Sequence, residues 1–364
     1  MILFLAYAVL AFTLIQLLVA IVNLCFETNL PVSEIVRKDL ISVLIPARNE
    51  EKNIGNVLED LISQDYPNFE VIAFNDQSDD RTAEIVTEYT IRDKRIQLYN
   101  SSGLPEGWLG KNFACHSLAE KATGKYLLFL DADVRIGNKV INRALSFSTT
   151  YDLGLISIFP KQVIRSHGER ITVPNMNFIL ASLLPLVLVR KTNFSSIAAA
   201  NGQFMFFECE KYKSLWPHEK MKNEKVEDIS IARAYKKKGL KVACLLGDDM
   251  ITCRMYTGFY EAVKGFSKNV TAFFGNSFVL ALLFWLITSF GFIPVLLKLP
   301  LALFFIYLIA YMLVRIIISA VSRQNLFFNL LYILPLQLSL FLFIYNSFLN
   351  RYFRKFEWKG RVID

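Results

Sequence analysis

Two acidic clusters follow directly on apolar runs. Asn75-Asp76 comes after "FEVIAF", and Asp131-Ala132-Asp133 comes after "KYLLFL". In a sheet of parallel strands both fall at carboxyl ends, where open α/β folds bind ligands. Carboxylates two residues apart on an extended strand project to the same face. Asp131 and Asp133 therefore suit a hard divalent cation, magnesium or manganese, which would neutralise a diphosphate and help it leave. A lone D-x-D recurs by chance; this one gains weight from the strand before it and from Asp76, expected at a parallel neighbour.

A third acidic pair, Glu227-Asp228, opens the helix-like segment "ISIARAYKKKGL". Two uses are open and compatible. Carboxylates cap helix N-termini, and a helix N-terminus favours the ionised form that a general base needs to accept a proton from a hydroxyl. Arg254 could pair bidentately with a diphosphate, or touch lipid headgroups as a lone cation. Other nucleotide-binding devices are excluded. No G-x-G-x-x-G follows a strand, and Gly110-Lys111 is followed by Asn112, with Pro105 where a P-loop needs its first glycine.

The elements that must position these groups alternate. From Leu40 the pattern reads strand "ISVLI", a helix with Ile54, Leu58, Leu61 and Ile62 on one face, a second strand, a helix after Asp79-Asp80, then "RIQLY". A helix over about Asn112 to Ala122 leads to "YLLFL". This order predicts an α/β fold with a mostly parallel sheet and right-handed crossovers. Asp79 or Asp80 is expected to cap its helix, and Gly124 to close the one before "YLLFL".

The chain of 364 residues is 54% hydrophobic with a mean hydropathy of +0.36 and 31 Phe, far more apolar than a soluble domain requires. Residues Ile2 to Phe26 carry no charge, and about 25 residues at about 1.5 Å each exceed the roughly 30 Å hydrocarbon core. A cleaved signal peptide fits poorly, since no basic n-region and no small-residue cleavage pattern is present. Phe273–Leu297, Leu299–Val321 and Leu326–Leu349 are further spanning lengths, making four expected spans. The domains expected are an N-terminal transmembrane helix (1–27), an α/β domain (39–256), an interfacial amphipathic helix (257–272) with Phe259, Val263, Phe266 and Val270 on one face, C-terminal transmembrane helices (273–349) and a basic tail (350–364). Phe178 to Val189, broken by Pro185, reads better as core helix than as a membrane contact.

A net charge of +8 would suit nucleic acid, but the cations gather near Lys220–Lys241 and in the tail, a pattern that suits a cytoplasmic face touching anionic headgroups; no nucleic-acid partner is expected. An odd number of C-terminal spans would place the tail opposite the α/β domain, a conflict that a re-entrant or interfacial placement of one stretch would remove. Five cysteines, none in a C-x-x-C pair, speak against a disulfide framework or thiolate zinc site.

Together, Pro46-Ala47-Arg48-Asn49-Glu50, Asn75-Asp76-x-Ser-x-Asp80, Asp131-Ala132-Asp133 and Glu227-Asp228 resemble the membrane-anchored inverting glycosyltransferases of family 2, with a GT-A fold. "IPARNEEKNIG", "GWLGKNFAC", "CRMYTGFYEAVKGFSKN" and "FEWKGR" resemble the carotenoid-type members in particular. The resemblance implies a nucleotide-sugar pocket from Pro46, Ala47, Arg48, Glu50 and Asp76, with Lys111 near the nucleotide, Asp131 at ribose and metal, Asp133 on the metal, Asp228 as base and Arg254 on the diphosphate. Asn75 replaces the first Asp of the common pair, and Ile251-Thr-Cys-Arg254-Met255 lacks the Gln and Trp of Q-x-x-R-W, which argues for single transfer over polysaccharide synthesis. The implied reaction moves a hexose from a nucleotide sugar, expected to be a UDP-sugar, to a lipid-like acceptor such as a carotenoid or hopanoid, in a multi-pass cell-membrane protein with a cytoplasmic catalytic domain. The alternatives are a polyprenyl-phosphate sugar synthase, which needs no base, and a catalytically silent membrane scaffold.

Overall fold

The computed structural model describes residues 1–32 and 38–353, with one short antiparallel pairing of Glu357–Trp358 and Arg361–Val362 in the tail. The rest of the basic tail lies outside the described residues. Two compact units emerge: a sheet unit of residues 28–161 and 186–253, and a membrane unit of residues 1–27, 162–185 and 254–364.

The strands of the chain are β1 (Ile41–Ala47), β2 (Phe69–Asn75), β3 (Ile96–Asn100), β4 (Tyr126–Leu130), β5 (Val134–Ile136), β6 (Leu155–Phe159), β7 (Lys161–Gln162), β8 (Phe204–Glu208), β9 (Val242–Leu246) and β10 (Ile251–Cys253). The main sheet of the sheet unit has the order β3-β2-β1-β4-β8-β6-β9. It is the expected mostly parallel α/β sheet, with one reversal: β8 runs antiparallel to both β4 and β6. Helices cover both faces, so the central strands are continuous apolar runs; Ile41, Val43, Leu44 and Ile45 of β1 are all 0% exposed.

Two local expectations differ from what folds. The helix Thr82–Arg92 takes Arg81 as its cap, while the Asp80 carboxylate accepts the Thr82 and Glu51 amides and so ties two loops together. The helix Gly110–Lys121 is capped by Ala122; Gly124 serves instead to let its amide reach the Ser42 hydroxyl at 2.8 Å.

In the membrane unit three helices are long and apolar enough to cross a bilayer, Ile2–Cys25, Leu301–Val321 and Ile333–Arg351; a fourth crossing arises if a pair bent by 98°, Phe259–Phe274 and Phe278–Phe290, counts as one. The stretch Phe273–Leu297 is thus divided, with Phe278–Phe290 followed at Gly291 by Phe292–Lys298. In the helix Phe259–Asn269, Val263 and Phe266 are buried in the unit's own core, with the Phe266 ring 5.3 Å from that of Phe343. Protein covers much of the face expected to lie against lipid. The run Phe178–Val189 becomes two helices, Pro174–Leu183 in the membrane unit and Leu186–Lys191 in the sheet unit.

A methyl group on Gly124 would sit 2.6 Å from the Ser42 amide nitrogen. Gly124→Ala is expected to force β1 and β4 apart locally and to lower stability by about 1–3 kcal/mol, read as a drop in the denaturation midpoint.

Candidate active site

The parallel register pairs Ala47 of β1 with Asn75 of β2, so the loops that follow leave the sheet side by side. The Asp76 amide donates to Ala47 O at 2.8 Å, and one nitrogen of Arg48 donates to both Asp76 O and Gln77 O at 2.6 and 2.9 Å. Asn49 and Gln77 hold left-handed φ of 53° and 52°, conformations that non-glycine residues keep only when their surroundings demand it. Here the Asn49 amide donates to the Ser78 hydroxyl while its side-chain oxygen accepts the Asp79 amide. Asp76 is 2% exposed. Asn75, standing where the related motif has Asp, donates to Asn100 Oδ1 at 2.9 Å, a bond that an ionised carboxylate could not make. Pro46, Ala47, Arg48, Glu50 and Asp76 therefore share one corner of the sheet.

The acidic residues meet at the neighbouring strand end through the reversed strand. Because β8 runs antiparallel to β4, its beginning faces the end of β4, and the Asp131 amide donates to Gln203 O at 3.0 Å. Gly202, one residue earlier, is the junction. Its carbonyl accepts from Lys111 Nζ at 3.4 Å and its amide donates to Asp228 Oδ2 at 3.0 Å. Lys111 Nζ also donates to Asp131 Oδ2 at 2.8 Å, and both Lys111 Nζ and Glu227 Oε1 lie 3.2–3.3 Å from where a Gly202 Cβ would stand. Asn112, beside Lys111 and 1% exposed, donates to Met221 O and Glu224 O at 2.7 and 3.0 Å. The start of the helix Gly110–Lys121 thus grips the chain leading into Glu227-Asp228. Gln203 completes the group, with Nε2 3.5 Å from Asp133 Oδ1 and 3.1 Å from Cys253 Sγ.

Charge in this site is costly, and the titrations reflect it. Burial, then the carboxylates of Asp131 and Glu50, push Asp133 up to about 6. Burial pushes Glu227 up to about 7, with Lys111 opposing and Asp228 reinforcing. Asp228 is raised as well, burial outweighing the Ile229 and Gly202 amides and the Lys111 charge; the helix N-terminus alone would have favoured its ionised form. Lys111 is held firmly protonated, since Asp131 and Glu227 outweigh its burial.

Among the described residues no group of three or more His, Cys, Asp and Glu is arranged to hold a metal. The two carboxylates of Asp131 and Asp133 nevertheless fit a magnesium-like or manganese-like ion, which takes one or two protein carboxylates and fills its shell with water and phosphate oxygens. The repulsion from Asp131, which adds to burial in raising Asp133, is what such an ion would relieve. Arg254 begins the membrane unit, where it donates to Glu169 Oε1 at 2.7 Å; that carboxylate is fully buried. Arg254 Nε, a buried atom, has no hydrogen-bond partner among the described residues.

Sequence reasoning did not find Gly202, Gln203 or Asn112. None carries chemistry by type, and only the reversed strand brings the first two to Asp131.

Removing the Lys111 charge should push Glu227 and Asp228 further up. With Lys111→Met, the acid limb of the pH–rate profile at saturating donor is expected to move to higher pH. A raised carboxylate favours the protonated fold, so its contribution to stability is present below the ordinary glutamate range and lost as pH rises through about 7. Without divalent ions the melting temperature should therefore fall between about pH 5 and pH 8, and Glu227→Gln should flatten that fall.

Residues 42–210 match the family described as "Glycosyl transferase family 2". A 4,4'-diaponeurosporenoate glycosyltransferase of Staphylococcus haemolyticus is 31% identical over 240 residues, covering 63% of this chain and 60% of that protein. The protein of the same name from Staphylococcus aureus (strain USA300) is 28% identical over 349 residues, 88% of this chain and 87% of its own length. The fold is also that of a mannosyltransferase from Pyrobaculum calidifontis, solved with GDP-Man and Mn2+, at a TM-score of 0.59 and 14% identity over 96% of this chain and 100% of that one. With its acidic cluster at the carboxyl ends of a GT-A sheet, the chain carries over residues 42–210 a domain that matches glycosyl transferase family 2, and it is a transferase.

Proposed function

We propose that the chain transfers a hexose from a nucleotide sugar, with a UDP-hexose as expected donor, to the oxygen of a lipid-like acceptor at the cell membrane, with inversion at the anomeric carbon. The observation that carries this reading is the linkage of Asp131, Gly202 and Asp228 through Lys111, which puts a candidate base beside the carboxylates suited to the diphosphate.

Asp228 takes the proton from the acceptor oxygen as that oxygen attacks the anomeric carbon. Its raised affinity for a proton suits a base, and the Gly202 and Ile229 amides fix its two oxygens in place. The loops at Arg48, Glu50 and Asp76 hold the nucleoside. A divalent ion at Asp131 and Asp133 supplies charge neutralisation for the diphosphate when bound. The apolar helices and the names of the two staphylococcal relatives support an apolar acceptor at a membrane.

Asp228→Asn is expected to lower transfer about 10²- to 10⁴-fold while leaving the affinity for UDP nearly unchanged, measured by UDP release and by calorimetry on the same preparation. An unaltered rate removes Asp228 from the mechanism. Asp133→Ala should abolish the enhancement of UDP binding by manganese, seen as equal affinities with and without the ion.

A further inference from the structure

Arg315 is a charge placed inside an apolar span. It lies in the helix Leu301–Val321 of the membrane unit and is 4% exposed. Its guanidinium carbon sits 3.6 Å from the centre of the Phe178 ring, and one nitrogen donates to the Tyr311 hydroxyl at 3.4 Å. Nε has no hydrogen-bond partner, and no carboxylate pairs with the group among the described residues. Arginines near the end of a span normally reach out to the interface. This one turns back to Tyr311, one turn toward the helix N-terminus, in the direction helical side chains point, and the Phe178 ring covers it.

A second unsatisfied donor lies in a helix packed against this one. Gln16 of the helix Ile2–Cys25 is 3% exposed, and its Nε2 also lacks a partner. Ala20, one turn on and hence on the same face, shares a core cluster with Phe178, Val314 and Ile318, whereas Ala6, Val9 and Leu10 cluster with Tyr307. The two helices therefore run in the same direction, and Gln16 falls between the levels of Tyr307 and Ile318. A buried cation and a buried amide N–H with no acceptor between them are costly unless something supplies one.

We propose that Arg315, with Gln16, is the counter-ion site for an oxyanion carried by an apolar molecule, a carboxylate or a phosphate headgroup, inserted among the spans with Phe178 and Tyr311 against it. That this molecule is the sugar acceptor rests on the reading above; its binding does not, and a binding measurement without donor lets the two fail separately.

The test uses the full chain in an uncharged detergent, with melting temperature as readout and oleate, methyl oleate, dioleoyl phosphatidate and inorganic phosphate as probes. Oleate or phosphatidate should raise the melting temperature saturably, by about 3 °C or more, while methyl oleate and free phosphate leave it unchanged. A response to oleate alone assigns a carboxylate, and one to phosphatidate alone assigns a lipid headgroup. Arg315→Gln should lose the response, Arg315→Lys should keep part of it, and Gln16→Leu should weaken it. Equal responses to oleate and its methyl ester, which need no variant, or an equal response in Arg315→Gln, would overturn the site and leave Arg315 a cation held by aromatic rings alone.

Discussion

One ammonium group holds the candidate active site together. Asp131, Glu227 and Asp228 come from distant parts of the chain, and like charges gathered in a half-buried space repel unless a cation lies among them. Lys111 is that cation, bonded to Asp131 and to the Gly202 carbonyl and close to Glu227. Burial, with some repulsion among the carboxylates, raises the proton affinity of Asp133, Glu227 and Asp228. A site of this kind suits a positive ion, and its raised carboxylates suit acceptance of a proton.

Backbone geometry makes this gathering possible. A sheet parallel throughout would bring only strand ends to the ligand side; reversing β8 brings a strand beginning there as well. Gly202 then offers both its N–H and its C=O, and the absence of a side chain leaves room for Lys111 and Glu227. The same economy appears at Gly124, where close approach, rather than an unusual φ, calls for glycine.

In the membrane unit the balance differs, since no water is at hand to solvate a stranded polar group. Asn23 donates to Ala181 O and Leu184 O, and Asn175 donates to Leu336 O and Ser339, so these amides fasten helices to one another. Gln16 and Arg315, like Gln324 and Gln337, keep open donors. Arg254, first residue of this unit in its stretch of chain, pairs with the buried Glu169, which fixes its guanidinium without using every donor.

Alternation of apolar runs with helical periodicity was enough to read the α/β sheet, and carboxylates placed just after "FEVIAF" and "KYLLFL" were enough to read which end of it carries chemistry, because strand and helix periods and strand-end position are local properties. Long apolar stretches likewise announced, from hydropathy alone, the helices able to cross a membrane. What stayed hidden was everything set by contacts across the chain: the reversal of β8, the linkage of Lys111 to Asp131 and Asp228 through Gly202, the break within Phe273–Leu297, and the isolation of Arg315. A glycine, a glutamine and a lysine have no local signature of such roles. Their meaning depends on which charges end up a few ångströms away, and only the tertiary structure decides that.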